Sequence, residues 1–202
     1  MAHAESLAGE GAPMRAVRRL CDGALSLAGW AYLLMVAIIG FDVLARRLLG
    51  FSTESTGELT GYLLAAGMTL GLGGTLLERG HVRIDVLVQR LPLGARVWLH
   101  LTALLALLVA VGFMAFGAVS LTVDSWQLGA TDLSGLRTPL ALPQGVWAAG
   151  FLLMGLAAVA LACRSAVLLL RGQPQALEAG LAARTDLDEA RDTLQALGGS
   201  RP

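Results

Sequence analysis

Four apolar runs, Gly23 to Phe41, Leu59 to Leu77, Val97 to Val123 and Leu142 to Cys163, fill most of this 202-residue chain. Each meets the requirement of roughly 20 residues for an α-helix to cross a hydrocarbon core about 30 Å thick. No soluble fold accounts for four such runs, because a soluble helix or strand must keep one polar face. With 55% hydrophobic residues and a mean hydropathy of +0.66, the chain also lies far from ordinary soluble composition. The predicted fold class is all-α: a polytopic membrane protein with four transmembrane helices over about 23–45, 57–77, 95–124 and 140–164. A formal net charge of zero excludes the concentrated basic face of a nucleic-acid binder, so no nucleic acid is expected as a partner.

The cationic side chains, all Arg apart from the histidines, set the orientation. Arg15, Arg18 and Arg19 precede the first span, Arg79, Arg83, Arg90 and Arg96 lie between the second and third, and Arg164 and Arg171 follow the fourth. The other two loops hold only Arg46, Arg47 and Arg137. The positive-inside rule then places both termini and the middle loop in the cytoplasm. The expected domains are a cytoplasmic tail with a basic lead-in over 1–22, a four-helix membrane domain over 23–171 and a cytoplasmic tail over 172–202. Met14 to Asp22 is expected to lie as a basic helix on anionic lipid. The C-terminal tail carries Leu177, Leu181, Leu187, Leu194 and Leu197, which form either a helical stripe on a membrane or partner, or part of a loosely ordered segment. The first span is too long for a signal peptide and no small-residue cleavage site follows it, so it is expected to be retained. Cys21 and Cys163 fall at cytoplasmic ends, where thiols stay reduced.

The second run carries a strip of small residues, Gly57, Gly61, Ala65, Thr69 and Gly73, with Gly67 and Gly71 beside it. Such a strip lets another backbone approach closely, and it meets either the chain's own helices or another subunit. Trp98 and Trp126 bracket the third run at a helical separation of about 42 Å, which suits the two interfacial belts. Ionisable residues inside a bilayer usually mark an ion or substrate path. Here Asp42, Glu58, His100 and Arg164 all fall near span ends, and Asp42 can reach Arg46 one turn on. No run contains a Gly/Pro break at mid-depth and the two halves show no repeat, so a self-sufficient transport pathway is not expected.

Two polar motifs flank the second run. Ser55-Thr56-Gly57-Glu58 has the form of a capping box, with Ser55 capping the helix and Glu58 bonding back, or pairing with Arg46 or Arg47. Glu78 to Asp85 is a compact charged turn. It holds only one histidine, His81, and its arginines would repel a cation, so it is expected to order the loop and to bind no metal.

An Arg closing the first span, Glu58-Leu59 opening a Gly-rich second helix, then Arg79-Gly80-His81-Val82-Arg83-Ile84-Asp85 and Leu91-Pro92 form a pattern over roughly 24–171. It resembles the small permease subunit, DctQ-type, of tripartite ATP-independent periplasmic (TRAP) transporters. It departs from that pattern at Arg47, where an aromatic is usual, and between Ser52 and Gly57, where no Trp precedes the Glu. The resemblance implies a non-enzymatic membrane subunit of a bacterial inner membrane, surrounded by the lipid bilayer and without a cofactor. Its implied partners are a large TRAP permease subunit, which moves an organic anion (carboxylate or sugar acid) with sodium, and a periplasmic solute-binding protein that delivers it. On this resemblance the chain braces the large subunit, with Arg46, Glu58, His81, Arg83 and Asp85 serving packing and loop order and none touching substrate; the strip adds Gly61, Ala65 and Gly71 as candidates for partner contact, and no catalytic, substrate-binding or metal residues are expected. Two other classes make different demands. A haem-bearing membrane anchor of a redox enzyme needs histidines facing each other within spans, and the histidines here are His3, His81 and His100. An autonomous small transporter needs an acidic residue or a polar stripe at the midplane.

Overall fold

The computed structural model describes residues 12–53, 55–78, 91–133 and 136–181. Its long helices are α1 (Ala12–Leu48), α2 (Thr56–Leu77), α3 (Leu93–Gln127) and α4 (Ala141–Leu170), followed by a short α5 (Pro174–Leu181). All four long helices are apolar and long enough to cross a membrane. Prolines stand where a helix tolerates them: Pro13 in the first turn of α1, Pro92 just before α3 and Pro143 in the first turn of α4. Gly50 and Gly172, at φ +71° and +65°, reverse the chain after α1 and α4 in the left-handed conformation that glycine adopts without penalty. With 37 and 35 residues, α1 and α3 run about 55 and 52 Å, well beyond a hydrocarbon core of about 30 Å.

The helices stand in a row in the order α1, α2, α4, α3, with a lesser contact between α1 and α4. The inner pair, α2 and α4, is the more covered, and α1 and α3 carry the broadest exposed apolar faces. Leucine-rich helices that are apolar on every side gain little from burying one face in lipid, so close backbone approach decides where they meet. Gly150 on α4 provides the tightest approach: a Cβ there would stand 2.6 Å from the carbonyl carbon, Cβ and Oγ1 of Thr69 on α2. Gly67 takes the Tyr32 ring of α1, at 2.8 Å from where its Cβ would be. The two ends of the row differ. Connections 49–55 and 128–140 lie at one end, called here the hairpin end, and the start of α1 and the end of α4 lie at the other, the terminal end.

At the terminal end the basic lead-in is helical, and one side of it is covered by protein. It continues into the first span as one helix, and Met14, Val17 and Cys21 recur at helical spacing to bury against Leu76, Leu77, Met154 and Ala157. Arg15 and Arg19 stay exposed on the opposite side. Protein covers the apolar stripe because the last turn of α2 and the middle of α4 offer it leucine, methionine and alanine side chains.

The C-terminal stripe is partly docked. Leu177 and Leu181 of α5 are buried with Val97 and Leu104 of α3, against the partly buried Leu161 and Leu168 of α4. Arg96 Nη2 holds Glu178 Oε1 at 2.8 Å across the same contact. Leu187, Leu194 and Leu197 lie outside the described residues. Leu177 is fully buried, and truncating a buried leucine costs about 2–5 kcal/mol. Leu177→Ala is therefore expected to release α5 and to speed tryptic cleavage at the exposed Arg171 by at least about tenfold. A cleavage rate equal to the wild-type rate in time-resolved mass spectrometry would contradict that docking.

Candidate functional site

At the hairpin end α1 closes its last turn around Asp42, which is 4% exposed. Arg46, one turn on, donates through Nη2 to Asp42 Oδ2 at 2.5 Å, as the i,i+4 spacing predicts. After Gly50 the chain folds back over the same carboxylate. Thr53 donates to Asp42 Oδ1 from both its amide, at 2.8 Å, and its hydroxyl, at 2.7 Å, and Ser52 Oγ adds a third bond at 3.2 Å. A carboxylate accepts several hydrogen bonds at once, and each short one to a charged acceptor is stronger than a neutral pair. Asp42 thus fastens the α1–α2 turn, and Arg46 serves that turn directly.

The capping box does not form as expected. Ser55 makes no side-chain cap bond and sits at φ −89°, ψ −4°, a helical conformation instead of the extended one that aims a cap hydroxyl at the third amide. Thr53 takes over part of that work, its carbonyl accepting from the Thr56 amide at 3.0 Å and its hydroxyl sharing a hydrogen bond with Thr56 Oγ1. Glu58 accepts from the hydroxyl of Tyr62 at 2.9 Å. The same phenol reaches Asp132 Oδ2, in the α3–α4 connection, at 2.7 Å. That connection is itself a small hairpin: Thr131 and Pro139 bridge, Asp132 N donates to Thr138 O and Leu140 N to Ala130 O, both at 3.0 Å. Leu133 stands fully exposed at its tip.

The small-residue strip on α2 divides along its length. Toward the terminal end it is used within the chain: Thr69 meets Gly150, Gly73 meets Cys21 and Leu153, and Gly71 backs onto Leu25 of α1. Toward the hairpin end Gly57 and Gly61 are exposed with nothing near a Cβ position, and Ala65 is half-buried. Further toward the terminal end an apolar groove of about 310 Å³ runs between α1 and α2 past Ala28, Tyr32, Gly67 and Gly71. Trp98 and Trp126, 66% and 74% exposed, face away from the row near opposite ends of α3.

Of the residues the sequence singles out, the structure thus places Arg46 on Asp42, Glu58 on Tyr62, Gly71 on α1, and Gly61 and Ala65 on the less covered stretch of α2. His81, Arg83 and Asp85 lie outside the described residues. Among the described residues no three of His, Cys, Asp and Glu come together as a metal site. Sequence reasoning missed the Tyr62–Asp132 link and the Arg96–Glu178 pair. A tyrosine one turn after a glutamate at the mouth of an apolar helix signals a hydroxyl in need of a partner, but Asp132 is 70 residues away.

The four long helices are apolar enough to cross a membrane, and the comparison with known families is decisive. A family model described as tripartite ATP-independent periplasmic transporters, DctQ component, matches residues 35–168. The chain belongs to the DctQ component family. DctQ components are small membrane subunits of TRAP transporters, transport components and not enzymes, and the family works with a large permease subunit and a periplasmic binding protein. This DctQ component is accordingly a multi-pass membrane protein. Neither a curated protein nor a solved structure matches it.

Proposed function

We propose that this DctQ component braces the large permease subunit in a bacterial inner membrane during sodium-driven uptake of an organic anion, a carboxylate or sugar acid, delivered by a periplasmic binding protein. Both termini are cytoplasmic on this reading, in keeping with the arginine excess around the first, middle and last cytoplasmic segments, and the hairpin end faces the periplasm and the docked binding protein. The observation that carries the proposal is the unused half of the α2 strip. Gly57 and Gly61 present a bare backbone to the surroundings, and a bare helix backbone inside a bilayer is the surface on which a second helix gains most by packing. Ala65 extends this surface, while Gly71 serves it indirectly by seating α1. Arg46 and Glu58 order the periplasmic loops, and His81, Arg83 and Asp85 order the cytoplasmic turn.

Gly61→Leu tests this reading without disturbing the chain's own packing, since nothing lies within 4 Å of a Cβ at that position. Together with Ala65→Leu it is expected to reduce copurification of the large subunit by roughly tenfold, the effect of losing one close helix contact. Solute uptake in vesicles should fall with it. Undiminished copurification and uptake in both variants would remove the α2 strip from the interface.

A further inference from the structure

The α3–α4 connection carries large apolar side chains where a loop meeting water is normally polar. Leu128 and Leu133 are 81% and 102% exposed, and Leu136 is exposed beside an exposed Arg137. The hairpin's shape does not need them, because the Thr131–Pro139 bridge and the amide bonds of Asp132 and Leu140 close it. Its height is fixed from two sides. At the end of α3, Gly129 takes φ +60° and Ala130 N donates back to Ser125 O at 2.9 Å, so the chain leaves sideways instead of continuing along the helix axis. From α2, the Tyr62 hydroxyl holds Asp132 Oδ2 at 2.7 Å, and Leu133 N donates to the other oxygen of the same carboxyl. Tyr62 is in the second turn of α2, and its hydroxyl leans back to Glu58 in the first. With 22 residues, or about 33 Å, α2 barely exceeds a hydrocarbon core of about 30 Å, so its first turns lie at the headgroup boundary. Asp132 and Leu133 are held at that same level.

Continuity with the rest of α3 says what covers these side chains. Val123 and Trp126 end the exposed apolar side of that helix, and Leu128 follows two residues on. Tryptophan favours the membrane interface, where its apolar ring and polar edge are both satisfied. Exposed leucines followed directly by an exposed arginine then match the two chemistries of a phospholipid boundary, acyl chain and phosphate. A soluble receptor would need these side chains to stand above the bilayer, and the Tyr62–Asp132 bond holds them down. We propose that the α3–α4 hairpin is a membrane-surface anchor, in which Leu128, Leu133 and Leu136 seat at the boundary between headgroups and acyl chains and Arg137 pairs with a lipid phosphate. α3 stands at the edge of the row, with α4 as its main neighbour, so the anchor gives that outer helix a fixed height and rotation in the bilayer. The inference concerns this chain's own seat in the lipid and holds whether or not the row braces a large subunit.

The test is a nitroxide label on Leu133→Cys in the full-length chain, in vesicles of phosphatidylethanolamine and phosphatidylglycerol. Cys163→Ser removes the exposed thiol, and the buried Cys21 is left in place. Depth is read from collisions with oxygen, which concentrates in the bilayer, against collisions with a water-soluble nickel chelate, and is calibrated on spin-labelled lipids. The Leu133 label is expected roughly 5 Å inside the phosphate level, the depth of an interfacial apolar face. The same label on Arg137→Cys is expected at the phosphate level itself. A Leu133 label in water would overturn the anchor, and so would equal depths at the two sites, which a label drawn inward by its own apolarity would give. A Leu133 label that lies in water and becomes immobile only when a large permease subunit or a periplasmic binding protein is added would assign the hairpin to a protein interface, which also overturns it. If Arg137→Cys does not insert, the depth of the Leu133 label decides alone.

Discussion

Asp42→Ala is expected to open the turn between α1 and α2, making the Arg46–Arg47 segment at least about tenfold more sensitive to trypsin in proteoliposomes as local opening replaces a fixed turn. The substitution removes the acceptor for Arg46, for the Thr53 amide and hydroxyl, and for Ser52. Donors that lose a buried acceptor lose more than the bond, because they remain partly screened from water with nothing to replace it. Asp42→Asn keeps one carbonyl oxygen for Thr53 but loses the charge that faces Arg46, so it should fall between wild type and alanine. This order separates the hydrogen-bonding role from the ion pair, and equal cleavage of all three proteins would refute the hub. Because Thr53 hands its own carbonyl to the Thr56 amide, the first turn of α2 should fray in the alanine variant as well.

Gly150→Leu is expected to force α2 and α4 apart and to destabilise the chain by at least about 1–3 kcal/mol, the usual penalty for inserting carbons into a filled contact. The neighbour is what makes this site unforgiving. A Cβ at Gly150 meets the Thr69 carbonyl carbon at 2.6 Å, and a backbone atom cannot rotate out of the way. Even Gly150→Ala should lower the midpoint of thermal unfolding in detergent, and Thr69→Ala should rescue it only in part. Gly67→Ala is the control: the atoms it would meet belong to the Tyr32 ring, which can turn aside, so its loss should be smaller. A Gly150→Ala protein as stable as Gly67→Ala would show that the two helices are not in backbone contact.

The presence of four spans was legible because each apolar run satisfies the bilayer on length and composition alone. Their neighbours were not, because helices apolar on all sides carry no stripe that points to a partner. The α2 strip shows this limit: Gly61 and Gly73 look alike in sequence, yet one is open and the other meets Cys21 and Leu153. Local polar pairs fared according to their separation. Asp42 and Arg46 are one turn apart and pair as expected, whereas the return of Ser52 and Thr53 onto Asp42 depends on the reversal at Gly50. Ser55 and Glu58 had the spacing of a capping box, but Ser55 lacks the backbone angles of a cap, and the bond from Tyr62 to Glu58 had no signal beyond one helical turn. Leu177 belonged to a visible stripe, but only the packing of α5 on the start of α3 and the last turns of α4 showed what would bury it.

The row order α1, α2, α4, α3 also bears on how the chain is made. The first two helices can pair as soon as both have left the ribosome and entered the bilayer, because each is the other's main contact. The third then enters before its principal neighbour exists and is surrounded by acyl chains until the fourth arrives to wedge between it and the second. Completion of the last span is therefore the step that turns a hairpin and a solitary rod into one body. A nascent polypeptide arrested before Ala141 should already protect the Gly67–Tyr32 contact while leaving the whole length of the third helix open to lipid-soluble probes.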